Sequence, residues 1–317
     1  MERKTALVLS GGGAKGAFQF GAIQYIEEVV RMKYPKFGYD IIAGVSVGSL
    51  NGGMLAQNKY AGLKALWNSM SDDDVYSGKS FLQMFWRILR GKKSILTNNG
   101  LRLSIGRNFS LRDIDRRVDY RIGVVSLTSG LYSVLRPADF FGDEDFRNGV
   151  LASASVPIVW EPVPEIILVN GRRLRDLVDG GLRNISPLGD VLDANPTHVI
   201  IINCSASKLP PNARAAENIL DIANRSLNDI AFNEIFNSDI DEFLTINRLV
   251  TQAKRKGVIL LKENGKPYTA FRNVVIQPER DLGDALDFSQ ATVNERIRQG
   301  YERAEREFAR FDFRQFR

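Results

Sequence analysis

Apolar residues along the chain fall into two patterns: short unbroken runs closed by glycine, and longer stretches with helical spacing. Thr5–Ser10 is the first run, and its apolar core stops at glycines, as a strand buried on both faces does. From Ala17, the spacing of Phe18, Ala22, Ile23, Tyr25, Ile26, Val29 and Val30 predicts an amphipathic helix to about Met32. Ile41–Val45 repeats the strand pattern, and Val47–Gln57 the helical one. Strand, helix, strand, helix within the first 57 residues is the order of an α/β sheet.

Further along, Leu63–Met70, Phe81–Arg90, Leu111–Arg117 and Asp143–Ser153 read as helices. Thr128-Ser129-Gly130 and Asn170-Gly171 each separate two short apolar runs and predict hairpins, as does Asn264-Gly265. His198–Asn203 is the most apolar strand pattern of the chain. A mainly helical region follows from Arg214 to about Asn247, then a last strand at Val274–Ile276 and a closing helix over Gln290–Phe311. No repeat or low-complexity linker divides the sequence, so one domain over 1–317 is expected. Its mainly helical last part is 206–317.

Two glycine turns stand at strand-to-helix junctions. Gly11-Gly12-Gly13-Ala14-Lys15-Gly16 fits the spacing of a dinucleotide loop, but no acidic residue ends the second strand to hold a ribose. Lys15 is followed by Gly16, which breaks the P-loop pattern. What remains is a loop of backbone N–H groups at a helix start, suited to a phosphate or to an oxyanion. The second turn, Gly44-Val45-Ser46-Val47-Gly48, has the form of a nucleophile elbow, with Ser46 at a tight bend between an apolar strand and a helix of small residues.

Composition narrows the choice of base. The chain has 317 residues, 44% of them hydrophobic, with one histidine and one cysteine. A Cys/His zinc site is therefore not expected, and no metal or cofactor is predicted. A Ser-His enzyme must use His198, which opens an apolar strand instead of lying on a late loop. The carboxylate candidate is Asp179, which follows an apolar run and precedes Gly180-Gly181. Partial burial raises a carboxyl pKa and makes it a better base. The residues alone leave three readings: a Ser46–Asp179 hydrolase, a Ser-His acyltransferase or triad esterase using His198, and a nucleotide-binding module using Gly11–Gly16.

Gly11–Gly16, Gly44–Gly48 and Asp179–Gly181, in that order, resemble the three signature motifs of the patatin-like phospholipases. Ala152-Ser153-Ala154-Ser155-Val156-Pro157 and Asn184-Ile185-Ser186-Pro187 are similar to stretches that flank the third motif in that family. The resemblance is best over residues 5–204. It implies a three-layer α/β/α sandwich with a mainly parallel central sheet and helical insertions. It also implies lipid acyl hydrolysis without a metal, of phospholipase A or lysophospholipase type. Ser46 is then the nucleophile, Asp179 the proton acceptor, and the Gly11, Gly12 and Gly13 N–H groups the oxyanion hole. Lys15, Gly16, Gly44, Gly48, Gly180 and Gly181 support those motifs.

The net charge of +6 favours anionic surfaces. Within Phe81–Lys93, bulky apolar residues mix with four cations. Phe85 and Trp86 are candidates there for transient membrane contact, the alternative being a core-packed helix with a basic edge. Asp72-Asp73-Asp74 lacks calcium-loop spacing, and Lys254-Arg255-Lys256 lacks the interleaved aromatics of a nucleic-acid groove. The tail Phe308–Arg317 is rich in phenylalanine and is expected to dock on its own domain. No apolar run reaches transmembrane length, and Ala6–Leu9 is too short for a signal-peptide core. A cytoplasmic protein is the expectation, with peripheral membrane contact and non-classical secretion left open.

Overall fold

The computed structural model describes residues 3–70, 98–157, 159–207, 222, 225–226, 230, 232–311, 313 and 316. Eight strands form one sheet: β1 (Thr5–Leu9), β2 (Ile41–Gly44), β3 (Asp119–Ser126), β4 (Tyr132–Leu135), β5 (Val163–Ile167), β6 (Arg173–Asp179), β7 (His198–Ile202) and β8 (Arg272–Ile276). Their order is β5-β6-β3-β2-β1-β7-β8, with β4 also paired to β3. The pairs from β3 through β2, β1 and β7 to β8 are parallel, while β4, β5 and β6 are antiparallel additions.

Both faces of the parallel part are apolar, which is why its strands read as unbroken hydrophobic runs. Leu7, Leu9, Ile42, Ile122, Ile200 and Ile202 face one helical layer. It contains α1 (Gly16–Tyr25), α3 (Val47–Ala56), α4 (Tyr60–Ser69), α5 (Asn99–Asn108), α6 (Asp143–Ser153) and α9 (Gln290–Phe308). Helix α1 continues through a π turn (Ile26–Val30) into the short α2 (Arg31–Lys33). Ala6, Val8, Ile41, Ala43, Val199 and Ile201 face the other layer, built from α7 (Gly189–Leu192) and α8 (Phe232–Arg255). The architecture is the α/β/α sandwich expected.

The hairpins at Gly130 (φ 69°) and Gly171 (φ 81°) form with these glycines at left-handed positions, and at Asn264-Gly265 (φ 75° at Gly265) the chain turns inside a single antiparallel bridge between Leu261 and Pro267. One expected helix does not form. Leu111–Arg117 holds only a 3-10 turn, Leu111–Asp113, because tertiary partners take its backbone groups. The Leu111 N–H donates to Asp143 Oδ1 (2.7 Å) and the Asp115 N–H to Ala56 O (2.8 Å). Helix α8 runs on past the expected end, to Arg255, and most of residues 208–231 before it lie outside the described residues. Phe81–Lys93 and Asp72–Asp74 lie outside the described residues.

The aromatic tail closes the amino-terminal edge of the sheet. Phe313 stacks on Tyr34 at 4.3 Å, and Phe316 packs against Phe37 and His198, both at 5.0 Å between ring centres.

Candidate active site

Register brings the two glycine turns together. Leu9 on β1 stands beside both Gly44 on β2 and Ile202 on β7, so the loops after all three strands leave the sheet at one carboxyl edge. Such an edge is where open α/β sheets hold their ligands.

Ser46 follows β2 at the start of α3 with φ 56° and ψ −132°. This conformation costs a side-chain-bearing residue on the order of 1–3 kcal/mol. The bend leaves no room around it. A Cβ on Gly44 would stand 2.3 Å from Gly48 O, and one on Gly48 would stand 2.3 Å from Leu9 O. The Ser46 N–H donates to Ser153 O (3.0 Å) and Ser153 Oγ (3.2 Å), and Ser153 Oγ donates to Gly123 O (2.7 Å). The positive end of the α3 dipole therefore lies at the Ser46 hydroxyl.

Asp179 reaches the same point from the opposite direction, because β6 runs antiparallel to β3. Asp179 pairs with Val124, two residues beyond the level of Ile122 and Gly44, which is where Ser46 stands. Its carboxylate accepts a hydrogen bond from the Gly181 N–H (2.8 Å), and the Ser46 side chain lies close enough to lower its pKa. The Asp179 N–H donates to Ser155 O (3.0 Å). The Ala152–Pro157 stretch thus braces both residues, Ser46 through Ser153 and Asp179 through Ser155. Both side chains are buried, each residue 5% exposed. Burial pushes the Asp179 carboxyl up to about 7, against the opposing pull of the Ser46 side chain and the Gly181 N–H.

The glycine loop passes directly against the elbow: a Cβ on Gly11 would lie 3.3 Å from Ser46 Cβ. Its three N–H groups are not equivalent. That of Gly11 donates to Ile185 O (3.0 Å), within the Asn184–Pro187 stretch, so it anchors the loop. Those of Gly12 and Gly13 take no partner among the described residues. Lys15 is buried, and its Nζ meets Asp281 Oδ1 at 3.2 Å, so it ties the loop to the C-terminal part of the chain.

A buried polar chain lies beneath the two turns. Gln19 Nε2 donates to Ser10 O (2.7 Å), Asn51 Nδ2 to Gln19 Oε1 (3.1 Å), and Trp67 Nε1 to Asn51 Oδ1 (2.9 Å). Sequence reasoning missed these residues. Their signal was a polar amide set into each apolar helix start, Gln19 between Phe18 and Phe20 and Asn51 after Leu50.

His198 sits at the other edge of the sheet. It begins β7, four residues before Ile202, so about 13 Å of strand separate it from the carboxyl edge. Its Nδ1 is 2.9 Å from Thr197 Oγ1, and its ring packs on Phe311 and Phe316. The triad alternative is overturned, since the chain's single imidazole is out of reach of Ser46. A cavity of about 260 Å³ lined by Arg31, Tyr39, Asp40 and Arg117 also opens at that far edge. It is too distant to receive an acyl group held on Ser46.

On this α/β/α fold a serine at a strained strand-to-helix bend thus stands beside a buried carboxylate and a glycine loop. The chain belongs to the patatin-like phospholipase family, whose model matches residues 7–193. Membership makes it a lipid acyl hydrolase by class. The crystal structure of VipD from Legionella pneumophila has a similar fold, with a TM-score of 0.52 at 13% identity over 98% of this chain and 67% of that one. The type III effector protein ExoU aligns at a TM-score of 0.38 and 13% identity, over 96% of this chain and 53% of that one. No protein among the curated ones matches the sequence. Among the described residues, no helix is long and apolar enough to cross a membrane.

Proposed function

We propose that the chain cleaves fatty acyl esters of glycerolipids, as a phospholipase A or lysophospholipase, through a Ser46–Asp179 dyad. The single observation that carries this reading is the place of Ser46, on its strained bend, close enough to the buried Asp179 carboxyl to lower its pKa against the upward push of burial. As Ser46 Oγ attacks the ester carbonyl carbon, its proton passes to Asp179. The carbonyl oxygen becomes an oxyanion facing the Gly12 and Gly13 N–H groups and the start of α3. Collapse breaks the bond to the leaving alcohol, which takes the proton from Asp179 and departs as the lysolipid or glycerol-based product. Water then gives a proton to Asp179 and attacks acyl-Ser46. The fatty acid leaves, and the proton returns to Ser46. No step calls on a metal or cofactor.

Asp179 must be ionised to accept the proton, so turnover rises with pH and levels off above about 7. Incubation of the protein with a mixed phospholipid extract should release free fatty acid and lysolipid. Ser46→Ala should lower that release by about 10⁶-fold, and Asp179→Asn by about 10²–10⁴-fold. His198→Ala should keep its turnover per folded molecule. Fatty acid release that survives Ser46→Ala would refute the proposal.

A further inference from the structure

We propose that Arg296 is a positioning residue for the Gly12 and Gly13 donors, acting through a strap of residues 281–287 that lies across the glycine loop. The inference rests on the oxyanion role given to those donors above. Arg296, on α9, is 2% exposed. Its Nε and Nη2 donate to Leu282 O (3.0 and 2.7 Å), Nη2 also to Asp284 O (2.7 Å), and Nη1 to Asp287 O (2.9 Å). Burying a guanidinium costs several kcal/mol unless its donors are satisfied. Here they are satisfied by the carbonyls of a segment that has no helix or strand of its own. An apolar side chain could fill the same space, but only a forked donor gathers three backbone carbonyls of this segment.

The strap meets the glycine loop at two points. Ala285 O accepts from the Ala14 N–H (2.7 Å) and stands 2.4 Å from where a Cβ on Gly13 would be. Asp281 holds Lys15. Gly283, at φ 80°, supplies the bend between them. The far end of the strap is fixed because α9 is clamped to α1, the helix that the glycine loop opens into. A Cβ on Gly21 would lie 1.9 Å from Ile297 O, and one on Gly300 would lie 1.9 Å from Phe18 O. Arg296 and the loop are therefore two ends of one rigid connection. Without the guanidinium, the Ala14 N–H loses its acceptor and the two neighbouring donors lose their fixed direction. That harms the transition state more than the ground state.

The test uses the full chain with Arg296→Met and Arg296→Lys, followed by chromogenic-ester kinetics and amide hydrogen exchange. In Arg296→Met, kcat should fall about 10²-fold, as a donor displaced by about 1 Å would cause, with KM within about threefold. Arg296→Lys should fall between it and wild type. The Ala14 amide should exchange at least about tenfold faster in Arg296→Met, while amides of β1 and β7 keep their protection. If Arg296→Met does not fold, the same comparison with Arg296→Lys decides. Unchanged Ala14 protection in the folded variant overturns the proposal, as does a rise in KM with kcat intact. Exchange is read without turnover, so it still judges the strap if wild type proves inactive on esters and the functional reading fails.

Discussion

The two glycine turns of this site look alike in sequence but are held in different ways. The elbow around Ser46 is fixed by its immediate surroundings. Gly44 and Gly48 allow the backbone to fold on itself, the end of β1 presses on Gly48, and Ser153 takes the Ser46 N–H. All of these lie within residues 7–193. The Gly11–Gly16 loop is anchored within that span by Ile185, but its outer side rests on Ala285 and Asp281, about a hundred residues past Asp179 in the chain. A nucleophile must be placed by contacts that cannot relax, whereas a bank of backbone donors can be set by a removable support. Under the proposed function, the C-terminal part would bear on the chemistry without supplying a reacting group.

The sharpest way to break this comparison is to add one methyl group to each turn. Gly48→Ala would press a Cβ to within 2.3 Å of Leu9 O and 2.6 Å of Ser10 O, both backbone atoms. It should cost at least about 3 kcal/mol in urea unfolding and abolish turnover. Gly11→Ala meets the end of the Ile185 side chain at 2.6 Å and Ser46 Cβ at 3.3 Å, neither of them backbone, so it should fold and keep measurable activity. Equal damage from both substitutions would mean that the turns are held alike.

A second test exploits the charge of the dyad. The Asp179 carboxyl is raised from 3.8 to about 7 in the fold, so the folded protein binds this proton more tightly than the unfolded chain. Its contribution to stability is present below pH 4 and is lost as pH rises through about 7. Asp179→Asn keeps an acceptor for the Gly181 N–H and removes that loss. It should stabilise the protein at pH 8 by at most roughly 4 kcal/mol and have little effect at pH 4. Denaturant titrations at the two pH values check the sign.

Smaller effects refine the picture of the elbow. Ser153→Ala removes the donor to the buried Gly123 O and one of two acceptors of the Ser46 N–H. It should cost about 1–3 kcal/mol in thermal unfolding and lower kcat more than it raises KM. Ser46→Gly should be more stable than Ser46→Ala by about 1 kcal/mol, because only the strain at φ 56° separates them. If the two melt together, the bend is unstrained.

Much of the site could be read from the chain. Gly44–Gly48 is legible because a serine between glycines, after an apolar run, leaves few other conformations. Asp179 stood out through Gly180-Gly181 behind it. The distinct role of Gly11 was hidden, since which N–H of a glycine loop is already taken depends on Ile185, 174 positions away. Leu111–Arg117 failed as a helix for the same reason. Its apolar spacing is local, but Asp143 and Ala56 claim its backbone from outside.

The sequence by itself determined the buried strands, the helices that open after each glycine turn, and the presence of a serine and a carboxylate with no suitable histidine. These follow from side-chain periodicity, glycine's conformational range and simple counting. Only the tertiary structure decided that β6 runs antiparallel and so brings Asp179 level with Ser46, that His198 belongs to the opposite edge, and that Arg296 gathers the carbonyls of a segment that touches the glycine loop. Strand direction, register and the capture of backbone carbonyls are set by partners far away in the chain, and no local pattern of residues encodes them.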